Sequence, residues 1–105
     1  MPTTPENSPF EIHKMLVLST AHIRKETDDN FRLRTDDVPS IFYPKTNSDG
    51  DEYGWFIPIG PEIHWSHMVS EDLRAIRKIA EREGCAWIML DQAGDEVDEL
   101  PIYSW

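Results

Sequence analysis

The chain has 105 residues and a formal charge of −10, from twenty acidic against ten basic side chains. Its length fits one domain around one core, and a hydrophobic content of 39% with four tryptophans and four phenylalanines excludes wholesale disorder. The excess of carboxylates argues against attraction to a phosphate backbone and for a basic protein surface as partner, including one that ordinarily holds DNA or RNA.

Apolar runs are short, as in Met15-Leu16-Val17-Leu18, far from the roughly 20 residues that span a bilayer. Met1 to Pro9 has no basic stretch followed by an apolar one, so no secretion signal is read there. The single cysteine, Cys85, has no intrachain disulfide partner and fits a reducing compartment. A cytoplasmic protein is expected, with no membrane association and no cofactor.

Residues 1–13 read as a flexible N-terminal tail and 14–105 as a single α+β domain, because Met1 to Pro9 carries three prolines and small polar residues. Lys14 to Thr20 reads as a buried strand containing β-branched Val17. Arg24 to Arg34 reads as a short helix with Ile23, Thr27 and Phe31 on one face and Asp28-Asp29-Asn30 turned to water. Ile41-Phe42-Tyr43 marks a second strand. Lys45 to Glu52, rich in Asn, Ser, Asp and Gly, is the loop of a hairpin.

In the next run Tyr53, Trp55, Ile57 and Ile59 share one strand face, and Pro58 ends regular pairing. Ser70 to Glu83 reads as the main helix: Ser70 is at the N-cap, Glu71 and Asp72 lie at the positive end, and Gly84 is the stop. Its buried face holds Val69, Leu73, Ile76, Ile79 and Ala80, and Arg77 can pair with Glu81 outside. Ala86 to Leu90 is a last buried strand, followed by an acidic stretch and an apolar C-terminus.

The order is β-α-β-β-α-β, that of a ferredoxin-like sandwich with an antiparallel sheet and helices on one face. A small sheet packed by one main helix is the alternative. Helices on one side leave the other sheet face uncovered. The C-terminal Ile102-Tyr103-Ser104-Trp105 would cover it in cis, or a second copy would do so in a homodimer.

The stretches Leu16 to Ile23, Tyr53 to Ile57, Cys85 to Asp91 and Leu100 to Trp105 resemble a family of small uncharacterised proteins encoded on bacterial plasmids and prophages. The likeness runs over roughly residues 14–105, with a longer Lys45–Glu52 loop than the family pattern. No activity comes with it. The resemblance implies a mobile-element setting, in which small acidic proteins inhibit host defence machinery.

Two functions from different classes follow. In the first, the chain is an acidic inhibitor that imitates nucleic acid and occupies a basic surface through Asp49, Asp51, Glu52, Asp91, Asp95, Glu96, Asp98 and Glu99. In the second, Cys85 and His22 act as thiolate and base in a small hydrolase or transferase. That pair would meet where the first and last strands run antiparallel. Against it stands the reading of Cys85 as a buried small thiol.

Other patterns are weaker. His64 and His67 have a spacing that chelates zinc on a helical turn, but two ligands are too few, so no metal site is assigned. Asp91 to Glu99 lacks the ligand alternation of a calcium loop. Tyr53-Gly54-Trp55-Phe56 resembles the base-stacking strand of RNA-recognition domains without its leading Lys or Arg, so core packing is expected.

Overall fold

The computed structural model describes residues 10–105. Most of the expected tail therefore lies outside the described residues, and residues 10–13 are exposed and belong to no helix or strand. The elements are β1 (Met15–Ser19), a 3₁₀ turn (Thr20–His22), α1 (Lys25–Leu33), β2 (Tyr43–Thr46), β3 (Glu52–Pro58), α2 (Glu71–Arg82) and β4 (Trp87–Asp91). They make a small α+β domain with the β-α-β-β-α-β order read from the sequence.

The sheet order is β1-β4-β3-β2. Pairs β2–β3 and β3–β4 are antiparallel, whereas β1 and β4 run parallel, with Met15 opposite Trp87 and Ser19 opposite Asp91. The sheet is thus mixed rather than wholly antiparallel. Burial follows the strand order: Ile88 and Leu90 of the inner strand β4 are fully buried, while β1 exposes Met15 and Val17 at the edge.

The register sorts side chains into rows across the strands. Leu18, Leu90 and Trp55 form one inward row, and Leu16, Ile88 and Ile57 another. They meet Phe31 of α1 and Leu73, Ile76 and Ala80 of α2 in a single core. Trp55 stacks on Phe31 at 5.0 Å between ring centroids, and Phe42 packs edge-on to both. That inward pull on Phe42 displaces β2 from the expected Ile41–Tyr43, and pairing starts at Tyr43.

Both helices fall close to their expected spans, for different local reasons than expected. The Ser70 hydroxyl makes no cap bond, although Ser70 holds the N-cap position of α2. Asp72 works instead between the helices, accepting from the Arg24 amide at 2.9 Å and the Thr27 hydroxyl at 2.6 Å, which caps α1 from outside. Asp28 is buried, not turned to water. It accepts from the Trp55 indole at 2.9 Å and from Arg32 at 3.0 Å.

Opposite the helices, the sheet shows a face that no helix or strand among the described residues covers. One row crosses all four strands as Val17, Met89, Phe56 and Tyr43, and Met15, Trp87 and Pro58 form the next. Met15, Val17 and Tyr43 are exposed. The C-terminal segment does not lie there: Tyr103 donates its amide to the Ala21 carbonyl and Trp105 its indole N–H to the Ile23 carbonyl, around the 3₁₀ turn. Cis cover of the face by Ile102 to Trp105 is therefore corrected, because these anchors draw the segment to the end of β1.

Candidate acidic end of the sheet

Topology decides where the carboxylates go. β4 ends, β1 ends and β3 begins at the same end of the sheet, as the Ser19–Asp91 and Gly54–Asp91 pairings require. The hairpin tip with Asp49 and Asp51, the strand start at Glu52, and the loop after β4 with Asp95 and Glu96 all project there. Adjacent strands lie about 4.8 Å apart, so the two outer strands of the four are roughly 15 Å apart at the end where both acidic segments emerge. Asp49, Asp51, Asp95 and Glu96 are exposed.

Each segment is held in shape by hydrogen bonds to backbone groups. Asn47 Oδ1 accepts the amides of Asp49 and Asp51, at 2.9 and 3.0 Å, and Gly50 takes a positive φ of 84° to close the tip. The second loop crosses to β1, where the Ser19 amide donates to the Asp95 carbonyl at 2.8 Å. A side chain at Gly94 would strike the Leu18 carbonyl at 2.5 Å, so glycine is required for that approach.

Not every carboxylate expected at a partner surface is free to act there. Asp91 is buried and paired with Lys45, whose hydrogen bond, together with the Ala93 amide, holds its carboxyl below the usual range. Glu99 accepts a two-pronged bond from Arg82, at 2.8 and 3.0 Å, which likewise lowers its pKa. Asp98 is exposed. The available set at this end is Asp49, Asp51, Glu52, Asp95 and Glu96.

Cys85 and His22 are not brought together. Parallel pairing puts Cys85 before the start of β4 and His22 beyond the end of β1; the five residues of paired strand between them, at about 3.3 Å each, hold them roughly 15 Å or more apart. Burial pushes the Cys85 thiol pKa up, and Glu83 adds to this against Lys14. His22 is 1% exposed, with both ring nitrogens engaged: Nδ1 lies 2.8 Å from the Pro101 carbonyl, and Nε2 accepts the Val97 amide at 2.9 Å. A carbonyl on one side and an N–H on the other fix the neutral tautomer that carries its proton on Nδ1.

His64 and His67 lie in the irregular loop between β3 and α2, both exposed, rather than on a helical turn. Arg74 and Arg77 staple this loop to α2 by donating to the Ser66, Val69, Gly60 and Ile63 carbonyls. Arg77 also lies 4.7 Å from the centre of the Trp65 ring. Among the described residues no group of three or more His, Cys, Asp or Glu is placed to hold a metal ion. No helix among them is long and apolar enough to cross a membrane.

A family model described as the C-terminal domain of a family of unknown function, DUF5983, matches residues 15–105. The chain belongs to the DUF5983 family. The match runs from the first residue of β1 to Trp105, so the acidic end, the uncovered sheet face and the His22 contacts all lie inside the family domain. No curated protein and no solved structure matches the chain.

Proposed function

We propose that this DUF5983 domain is a protein-binding module that presents its acidic end to a basic surface on a nucleic-acid-handling partner and blocks it, as an inhibitor carried by a mobile element would. The observation that supports the reading is the convergence of the hairpin tip and the loop after β4 at one end of the sheet. Exposed carboxylates on two braced loops match the requirement for imitating phosphates: fixed negative charge with little side-chain reach. The net charge of −10 adds long-range attraction to a basic partner.

The test is affinity capture from a bacterial host of the resembled class, with the wild-type chain beside an Asp49→Lys, Asp51→Lys, Asp95→Lys, Glu96→Lys variant, washed at rising salt. A basic partner that is retained by the wild type, lost by the variant and released by salt supports the proposal. Capture of acidic partners alone, or retention unaffected by both salt and charge reversal, defeats it.

A further inference from the structure

The uncovered sheet face is graded along its strands. Two apolar rows, Val17-Met89-Phe56-Tyr43 and Met15-Trp87-Pro58, are followed by a polar row of Ser19, Asp91, Gly54 and Lys45 at the acidic end. Tyr43 and Trp87 approach each other at 6.2 Å between ring centroids, and Met15, Val17 and Tyr43 are 37%, 41% and 53% exposed. Between these exposed residues of the outer strands, Phe56, Trp87 and Met89 are half-buried and Pro58 is buried, so the rows form an apolar strip that is open mainly at its two edges.

We infer that this face docks a basic amphipathic α-helix of the partner protein, with the helix's apolar stripe on the two rows and its Lys/Arg side chains over the acidic end. This inference deepens the proposed function and rests on it. A sheet covered by helices on one side is completed most simply by a helix on the other. Strands β1 and β4 run five residues at about 3.3 Å each, so a helix of roughly 12 residues spans the face along them. Charge decides between occupants: two copies at −10 each repel when face to face, whereas a basic helix is attracted to the exposed loop carboxylates Asp49, Asp51, Asp95 and Glu96, beyond the row in which Asp91 is already paired with Lys45.

The experiment titrates the full chain with a fluorescein-labelled 18-residue helical peptide carrying a Leu stripe at i, i+3, i+4, i+7 and Lys/Arg elsewhere, and with its Glu/Asp counterpart on the same stripe. The expected result is saturable binding of the basic peptide, at least about tenfold tighter than that of the acidic one. Val17→Asp and Tyr43→Asp, both at exposed positions, should each weaken the basic peptide by about tenfold or more. Two-dimensional NMR of each variant checks that it remains folded, and perturbed amides should map to β1, β4, β3 and β2.

Failure of the docking inference is distinct from failure of the acidic-end reading. If Val17→Asp and Tyr43→Asp leave affinity unchanged while Asp95→Lys with Glu96→Lys lowers it, the acidic end binds and the sheet face does not. Equal binding of the two peptides, or none, overturns the inference. So does a concentration-dependent dimer in sedimentation that Val17→Asp dissolves, because a second copy then owns the face. Removal of residues 1–9 with consequent shifts at Phe56 and Met89 would assign the face to the chain's own segment, with the same result.

Discussion

Lys45 on β2 and Asp91 on β4 reach each other across the intervening strand, directly over Gly54. Gly54 is the register partner of both, and its missing side chain leaves the gap through which the ammonium group passes. A Cβ at this position would also strike the Leu90 carbonyl. Gly54→Ala should therefore cost roughly 1–3 kcal/mol or more, by forcing β3 and β4 apart, and urea unfolding of the variant measures it.

Acid stability should carry the mark of the same pair. The folded chain holds the Asp91 carboxyl below its ordinary range, first through Lys45 and then through the Ala93 amide. A depressed folded-state value contributes stability that is present above the unfolded value near about 4 and is lost as pH falls through the lower folded value. Urea midpoints should fall below that pH. In Lys45→Met the Asp91 part of that fall should shrink, with a lower midpoint at neutral pH. Identical acid profiles for Lys45→Met and wild type would remove the pair from the account.

A buried carboxylate governs the aromatic core. Asp28 satisfies the Trp55 indole N–H and pairs with Arg32, whose guanidinium also lies 5.5 Å from the Trp55 ring centre. Asp28→Ala leaves that N–H without an acceptor inside the core and should lower stability by about 1–3 kcal/mol. Trp55→Phe should cost less in the Asp28→Ala background than in wild type, since the orphaned donor goes with the ring. A double-mutant cycle by chemical denaturation checks the coupling; additive losses would show that the bond contributes nothing.

Asp28 also shows where sequence reading fails. The periodicity of Leu73, Ile76 and Ala80 and the alternation of Trp55, Ile57 and Ile59 were legible, because burial of an apolar face writes its period into the chain. Local rules put Asp28 in water and offered no cap for α1. Tertiary partners 27 and 48 residues away in sequence, the Trp55 bond and the Asp72 bond to Arg24, override them. Strand pairing was illegible for a similar reason: element order alone admits β4 beside β1 in either direction, and the parallel one moved Cys85 away from His22.

Cys85 should behave as an inert thiol. Desolvation disfavours its thiolate, with Glu83 acting in the same sense and Lys14 against it. Alkylation by iodoacetamide at neutral pH should be slower than for an unstructured cysteine peptide, and should rise to the peptide's rate on unfolding in urea. A rate in the folded chain above that of the peptide would reinstate Cys85 as a nucleophile, with some base other than His22.

The His22 ring clasps the C-terminal segment to the body of the domain through Pro101 on one nitrogen and Val97 on the other. Replacing it removes two part-buried hydrogen bonds, each worth about 0.5–1.5 kcal/mol. His22→Ala should therefore destabilise the chain by more than its lost volume alone predicts. Trp105, held by its N–H to the Ile23 carbonyl, reports on the clasp. In the variant, assigned by difference from Trp105→Phe, its emission should shift to the red and its indole proton exchange faster. If His22→Ala leaves both the unfolding midpoint and the Trp105 signal unchanged, Tyr103 and Trp105 hold the segment by themselves. The His22 bonds would then be a consequence of that docking rather than its cause.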